Sequence, residues 1–190
     1  LSRITKIDYA SKDLIWNMGQ TDFMNEIYFD EDINFSQQHS VQILENGNIL
    51  FFDNHRYLNP ELSRCLELAY DETEYNVEIV WEHVLPAEFF SGSRGECDRL
   101  ENGNTLICDG VHGTFFEIDD NKNIVWKYIN PVLVNSILSQ GDPIPTTQNG
   151  FSNSTFRCTR FSPDFPGFFG QNLISGNPIE LNPLPINCKT

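Results

Sequence analysis

The sequence has few positive charges. Only 12 Lys and Arg residues stand against 27 Asp and Glu residues in a chain of 190, which gives a formal net charge of −15. A nucleic-acid-binding protein needs a basic surface that neutralises phosphates, so this balance argues against nucleic acid as a partner. The chain also lacks an apolar run of the roughly 18 residues that a membrane helix needs, and no membrane span is predicted.

Several motifs with known chemistry are also missing. The sequence has no CxxC or HxxxH spacing, so a zinc site, or any other metal site, is not expected. It has neither a GxxxxGK[ST] phosphate loop nor a GxSxG nucleophile elbow, and no cofactor is predicted. No window keeps an i, i+3, i+4, i+7 apolar pattern for three turns, which favours an all-β fold.

An internal repeat is present. Residues 42–53 read QILENGNILFFD and residues 98–109 read DRLENGNTLICD. Each copy has an Asn-Gly pair, at 46–47 and at 102–103, between two apolar runs. This pattern predicts two β-hairpins, each closed by a two-residue type I′ turn.

A tryptophan-containing strand accompanies these hairpins. It reads DLIWNMG at 13–19, VEIVWEHV at 77–84 and NIVWKYIN at 123–130, and an alternating strand precedes it at 65–72 and at 114–120. The unit is therefore four short antiparallel strands, which is typical of a β-propeller blade. We expect the three tryptophans to lie in the core.

The number of units predicts an incomplete ring. Residues 2–19 make half a blade, residues 36–85 and 91–130 make one blade each, and residues 156–161 predict one further strand. A closed propeller needs at least four blades. We therefore predict partial-ring blades over residues 1–161 and a Pro- and Gly-rich tail or linker over residues 162–190.

The predicted hairpin register brings polar residues to one end of the blades. A two-residue turn sets His39 opposite Asn54, Ser93 opposite His112, and Arg94 opposite Val111. These ends of the inner strands face one mouth of the central channel. The residues expected to converge there are His39, Asn54, His55, Arg56, Ser93, Arg94 and His112, with Arg64 close by.

This group of residues predicts a site for a small anion. Arginine donors suit sulfate, phosphate or carboxylate, and imidazoles act as nucleophiles or as general acids and bases near neutral pH. A structural interpretation remains open for several members. His39 can simply join two blades, His55 can be a loop residue, and Arg64 can pair with a carboxylate. His83, beside Trp81, is expected to be a packing residue.

The five cysteines favour an oxidising location. Together with the acidic composition they indicate an exported protein, periplasmic, cell-surface or extracellular. The predicted register places Cys97 opposite Cys108, within disulfide range, although a hydrogen-bonded pair is not the favoured setting for a bridge.

The ordered motifs resemble those of a known family. The segments 37–56, 62–83, 101–131 and 156–167 are similar to bacterial arylsulfotransferases that use no nucleotide sulfate donor, and to their propeller relatives. The resemblance implies a six-bladed, exported propeller of which this chain is the C-terminal part. It also implies sulfuryl transfer from a phenolic sulfate ester to a phenol through a histidine.

The resemblance also implies roles for individual residues. His112 is similar to the histidine that carries the transferred group, His39 to a second site histidine, and Arg56 to the arginine that holds the sulfate, with Asn54 as a supporting donor. His55, Arg94, Ser93 and Arg64 are predicted to bind substrate. The expected partners are a phenolic sulfate or another small anion, and the remainder of the propeller or a secretion-linked assembly.

A function from another class remains open. The same framework fits a non-catalytic exported propeller that serves as an adhesion or scaffold module, or that binds carbohydrate through its aromatic residues.

Overall fold

The computed structural model describes residues 2–20, 29, 33–147, 150–174 and 176–177. Within these ranges the fold is all-β, and the only helical segments are two short 3₁₀ turns, Ala87–Phe89 and Pro166–Phe168. Every sheet is antiparallel. In the same part of the chain, no helix has the length and apolar character needed to cross a membrane.

Three sheets, which we call I, II and III, contain most of the strands. Sheet I pairs β1 (Arg3–Ile7) with β2 (Leu14–Gly19). Sheet II has four strands in sequential order, β3 (His39–Ile43), β4 (Ile49–Asp53), β5 (Arg64–Asp71) and β6 (Asn76–Val84). Sheet III repeats this order with β7 (Glu96–Arg99), β8 (Thr105–Asp109), β9 (Thr114–Ile118) and β10 (Ile124–Ile129). A minimal fourth sheet pairs β11 (Thr146–Thr147) with β12 (Gly150–Phe151).

The three main sheets pack face to face. All five residues of β4 are buried, because alternate side chains point to opposite faces and both faces are covered. Ile49 and Phe51 pack with Trp16 of sheet I in one core cluster. Leu50 and Phe52 pack with sheet III in a second cluster. Blades stacked in this way are propeller architecture, and in the described residues the stack is open rather than closed into a ring.

The hairpins differ from the predicted two-residue turns. Gly47 N donates to the Leu44 carbonyl and Leu44 N donates to the Asn48 carbonyl, so the loop has three residues and ends in a glycine with φ of +88°. The second hairpin repeats this geometry, with φ of +87° at Gly103. A type I turn followed by a left-handed glycine satisfies Asn-Gly as well as a type I′ turn does, but it shifts the register by one residue.

The shifted register corrects several expected pairs. His39 lies opposite Phe52 rather than Asn54, because a second register shift between His39 and Gln42 adds to the one-residue shift of the loop. Strand β7 begins only at Glu96, so Ser93 and Arg94 lie outside the ladder and do not pair with His112 and Val111.

The predicted pairing of Cys97 with Cys108 is also wrong. Cys97 lies opposite Ile107 and faces sheet II, where it bonds to Cys65 with a Cα–Cα separation of 6.0 Å. A one-residue slip turns every side chain to the other face, so Cys108 points away from Cys97. Cys108 and Cys158 are free thiols, and Cys188 lies outside the described residues.

Two further predictions need correction. Residues 156–161 form no strand, and the short β11–β12 hairpin precedes them instead. Trp16 is buried as expected, but Trp126 is 47% exposed because it lies on the outer face of sheet III. The predicted boundary between blades and tail at residue 161 stays a prediction.

Candidate functional site

The predicted site residues lie where strands of sheets II and III begin or end on one side. His39 opens β3, residues 54–56 follow β4, and Arg64 opens β5. His112 follows β8 in the same position of the next sheet. Because antiparallel strands alternate in direction, these starts and ends share one edge of the stacked blades.

The loop 91–94 connects this edge of sheet II to sheet III. The side chain of Asn54 is fully buried, and its Nδ2 donates to the carbonyls of Ser91 and Arg94, the latter at 2.6 Å. Its Oδ1 lies 2.7 Å from Nδ1 of His39. On the other side, Val111 N donates to Ser91 Oγ at 3.4 Å. His39, Asn54 and the loop therefore form one continuous hydrogen-bonded group.

Asp53 holds His55 and Arg64 beside that group. Its carboxylate is fully buried and accepts hydrogen bonds from the backbone nitrogens of Ser36 and His55, at 2.9 and 2.8 Å. His55 Nδ1 lies 3.0 Å from Oδ2 of Asp53, and Arg64 Nε donates to the same oxygen at 2.8 Å. The aspartate thus fixes two of the predicted site residues.

The guanidinium group of Arg64 is hydrogen-bonded within the protein. Its Nη1 donates to Glu82 and its Nη2 to the carbonyl of Asn34, in addition to the bond to Asp53. All three guanidinium nitrogens therefore have protein partners. These contacts favour the structural interpretation of Arg64, and substrate binding by it stays a prediction.

Arg56 and Arg94 are less fully engaged. Arg56 lies over the ring of Tyr57 at 4.7 Å, and its Nη1 makes a 3.4 Å hydrogen bond to the carbonyl of Gly92. Arg94 Nη1 donates to Ser154 Oγ at 2.6 Å. A guanidinium has five N–H donors, so each of these arginines retains donors for an anion.

His112 lies beside a buried carboxylate and between two aromatic rings. Its Nδ1 lies 2.6 Å from Oδ2 of the fully buried Asp109. Its ring packs between Phe89, with centroids 6.1 Å apart, and Phe151, with centroids 4.8 Å apart. The two atoms are in close contact but are not aligned as a hydrogen bond. A carboxylate this close to Nδ1 favours a proton on that nitrogen electrostatically, which leaves the lone pair on Nε2.

Residues 151–161, which we call the tail from here on and which precede the predicted tail over residues 162–190, contribute to the surroundings of His112. Asn153 is fully buried, and its Nδ2 donates to the carbonyls of His112 and Asn130 at 3.2 and 3.0 Å. Thr155 N donates to the carbonyl of Gly110 at 2.9 Å. Residues 151–155 therefore close one side of the loop that carries His112.

Four of these residues, Asp53, Asp109, Asn153 and Phe151, were not predicted from the sequence. The two aspartates occupy the same place in the two LENGN repeats, each shortly before a histidine. This equivalent position is the sequence feature from which their role beside a histidine could have been predicted. Asn153 and Phe151 had no such signal because they lie between the second complete blade and the last predicted strand.

His83 lies outside this group. It is on the outer strand β6 and stacks on Trp81, with ring centroids 6.4 Å apart. Burial, with a smaller contribution from the charge of Lys122, lowers the pKa of His83. Across the described ranges, no group of three or more His, Cys, Asp or Glu side chains is placed to hold a metal ion.

Comparison with protein families identifies the chain. The sequence profile of the family described as Arylsulfotransferase (ASST) matches residues 1–137, which is well over half of the sequence. The chain belongs to the arylsulfotransferase family. Membership indicates an arylsulfotransferase-like function with small phenolic substrates, and proteins of this family are typically exported. The matched residues include all eight predicted site residues and exclude the tail.

Other comparisons add little. No curated protein sequence matches the chain. Among solved structures it is similar to a protein of unknown function from Bacteroides caccae, with 12% sequence identity and a TM-score of 0.27, over 78% of this chain and 76% of that one. A similarity this weak carries no argument about fold or function.

Proposed function

We propose that this arylsulfotransferase-family chain transfers a sulfuryl group from a phenolic sulfate ester to a phenol, with His112 as the intermediate carrier. The observation that carries the proposal is the contact between Asp109 and Nδ1 of His112. It supports the tautomer in which Nε2 has the lone pair. In that tautomer Nε2 is the nucleophilic atom of the imidazole.

The chemistry divides into two displacements at sulfur. Nε2 of His112 attacks the sulfur, the bond from sulfur to the aryl oxygen breaks, and the phenolate leaves with the bonding electron pair. The acceptor phenol then attacks the same sulfur as it loses its proton, and the bond from nitrogen to sulfur breaks, which restores the imidazole. The nucleophile thereby replaces one difficult transfer with two easier ones.

Charged donors stabilise the sulfuryl oxygens during both steps. Arg56 and Arg94 lie on the same edge as His112 and retain guanidinium donors, so we assign them to the oxygens of the bound sulfate. Asn54 holds the loop 91–94 through its side-chain amide, and His39 contacts the oxygen of that amide. Their roles are supporting, because Asn54 is fully buried and its amide is used by the protein.

The test uses the chain with a chromogenic aryl sulfate such as 4-nitrophenyl sulfate. We expect release of 4-nitrophenolate and, without an acceptor, a protein mass increased by one sulfuryl group on a histidine. His112→Ala should abolish the adduct and reduce the rate by at least about 10²-fold. The matched control is His83→Ala, which removes a histidine on an outer strand and should leave the adduct in place.

The outcomes separate the proposal from its alternative. Full activity or an intact adduct in His112→Ala would show that His112 does not carry the sulfuryl group. A folded chain that forms no adduct with any aryl sulfate would instead favour the non-catalytic adhesion, scaffold or carbohydrate-binding module. That alternative stays a prediction, as do the exact exported compartment and a secretion-linked partner.

A further inference from the structure

The free thiols of Cys108 and Cys158 are close together. Cys108 is buried in β8, and its Sγ lies 3.6 Å from Oγ1 of Thr155 in the tail. Glu96, which lies directly opposite Cys108 in the ladder, accepts a 3.0 Å hydrogen bond from the backbone nitrogen of Cys158. Opposite residues in a ladder share a face, so both contacts bring Cys158 to the face that carries Cys108.

The tail also repeats the sequence with which sheet III begins. Residues 90–100 read FSGSRGECDRL and residues 151–161 read FSNSTFRCTRF, which places Cys158 in the position of Cys97 and Arg160 in the position of Arg99. The contacts repeat as well. Arg99 pairs with Glu67 of sheet II, and Arg160 pairs with Glu117 of sheet III.

The two glutamates establish the correspondence between the sheets. Glu67 accepts hydrogen bonds from Asn46 and Asn48 of its own hairpin, and Glu117 accepts them from Asn102 and Asn104 of the next one. Because Glu67 and Glu117 are equivalent, the tail packs against sheet III in the way that β7 packs against sheet II. Residues 156–161 differ from β7 in forming no β-ladder.

A disulfide already joins β7 to sheet II. Cys97 bonds to Cys65 of β5. The residue of β9 that corresponds to Cys65 is Phe115, and Cys108 lies directly opposite Phe115 in the ladder. The tail cysteine therefore meets a cysteine one strand away from the position that the repeat specifies, on the same face of the sheet.

We propose that Cys108 and Cys158 are an oxidisable pair whose disulfide fastens the tail to the outer face of sheet III. The bond would hold residues 155–160 against this sheet as the bond between Cys65 and Cys97 holds β7 against sheet II. It would also fix the adjoining residues 151–155, which pack on His112. The proposal is independent of sulfuryl transfer.

The oxidant is a small-molecule disulfide, for which oxidised glutathione is the probe. One thiolate of the pair attacks oxidised glutathione, forms a mixed disulfide and releases one glutathione thiolate. The second cysteine attacks the protein sulfur of that mixed disulfide and releases the second glutathione. The protein loses two protons and two electrons, and two glutathione thiols are formed.

The surroundings favour the thiolate at one cysteine of the pair, Cys108. A hydrogen bond from Cys158 is the main reason why the pKa of Cys108 lies below the ordinary value for a thiol, and the same bond, together with burial, raises the pKa of Cys158. Thiolate is the attacking species in disulfide exchange. A hydrogen bond that stabilises the Cys108 thiolate therefore favours the attack on oxidised glutathione. Cys158 is only half-buried and gives oxidised glutathione access to the pair.

The test is thiol counting and peptide mapping on the full chain with Cys188→Ser, so that no third free thiol is present. Before oxidation we expect two thiols per denatured chain, those of Cys108 and Cys158, and after oxidised glutathione we expect none. Trypsin without reductant should yield residues 100–122 linked to residues 158–160, because the sequence has a Lys or Arg at each boundary.

The control is Cys158→Ser in the same background. It retains one thiol, and the linked peptide should disappear, while the bond between Cys65 and Cys97 links residues 65–94 to residues 95–99 in both proteins. Recovery of peptides 100–122 and 158–160 as separate species after oxidation, each with its own glutathione or with a free thiol, would overturn the proposal. A linked pair in the unaltered chain that joins residues 158–160 to residues 161–189 would also overturn it.

Discussion

His112 depends on its neighbours for the orientation of its ring. Asp109 faces Nδ1, and the two phenylalanines limit the ring's rotation. The same pattern, an aspartate at the end of the second strand followed by a histidine, recurs at Asp53 and His55. The difference is that Asp53 also binds Arg64, so its charge is already neutralised within the protein. This contrast favours His112 over His55 as the reactive histidine.

Asp109→Asn tests the orientation of His112. The amide can donate to Nδ1, which would move the imidazole proton to Nε2 and remove the lone pair from the position of attack. We expect the rate of sulfuryl transfer to fall by about 10²- to 10⁴-fold, while the affinity for the aryl sulfate changes little. Steady-state kinetics with an aryl sulfate measure both quantities. An unchanged rate in a folded variant would show that Asp109 does not orient the nucleophile.

Asp53 is expected to be a stability residue. Removing its carboxylate leaves the largely buried Arg64 without its fully buried acidic partner and leaves the backbone donors of Ser36 and His55 unpaired. Breaking a buried ion pair from one side typically costs about 3–5 kcal/mol. We therefore expect Asp53→Ala to lower the free energy of unfolding by about that amount in urea denaturation.

Asp120→Ala is the matched control for this loss, because Asp120 is exposed. Surface substitutions of this kind usually change stability by less than about 0.5 kcal/mol. Equal denaturation midpoints for the two variants would contradict a structural role for Asp53.

The hairpins show what the sequence specified and what it left open. The repeated LENGN motif was sufficient to predict the strands and their antiparallel pairing, because Asn-Gly between apolar runs has few other uses. It was not sufficient to choose between a two-residue and a three-residue loop, since both place glycine at positive φ. That single residue decides which face Cys97 occupies, and therefore its bond to Cys65.

Two glycine substitutions separate backbone strain from packing. Gly47 has φ of +88° and open space where a Cβ would be, so Gly47→Ala adds left-handed strain alone, about 1–2 kcal/mol. Gly95 has φ of +127°, and its Cβ would lie 2.5 Å from the ring of Phe52, which is fully buried. Gly95→Ala should therefore cost a further 1–3 kcal/mol, roughly, for overpacking.

Thermal or urea unfolding of the two variants measures this difference. A Gly95→Ala protein as stable as Gly47→Ala would mean that Phe52 moves aside freely and that the contact between sheets II and III is loose.

At the scale of the whole molecule, sheets I, II and III form an open stack with one face of sheet III only partly covered. The repeat predicted the blades and the incomplete ring because it depends on local periodicity. It did not predict the position of the tail, since the contacts of Asn153, Cys158 and Arg160 join distant parts of the chain. The exposure of Trp126 was missed for a related reason, because it depends on which residues cover the outer face of sheet III and not on the strand itself.

The outer face of sheet III presents a row of stacked rings. Trp126 and Tyr128 have ring centroids 6.0 Å apart, and Tyr128 and Phe115 have centroids 5.9 Å apart, with both pairs nearly parallel. On sheet II the corresponding Trp81 is partly covered by Arg99, whose guanidinium lies 4.7 Å from the ring. The two tryptophans therefore occupy equivalent positions with different solvent access.

Acrylamide quenching of tryptophan fluorescence tests whether this face is open in solution. Trp126 is 47% exposed and Trp16 is 3% exposed, so we expect Trp126 to give most of the quenchable, red-shifted emission. Trp126→Phe should remove that component and shift the remaining emission to shorter wavelength, whereas Trp81→Phe should remove less of it. A net charge of −15 opposes association between copies, so the quenching should not change with protein concentration at low salt. Protection of Trp126 that increases with concentration would show instead that a second copy covers the outer face of sheet III.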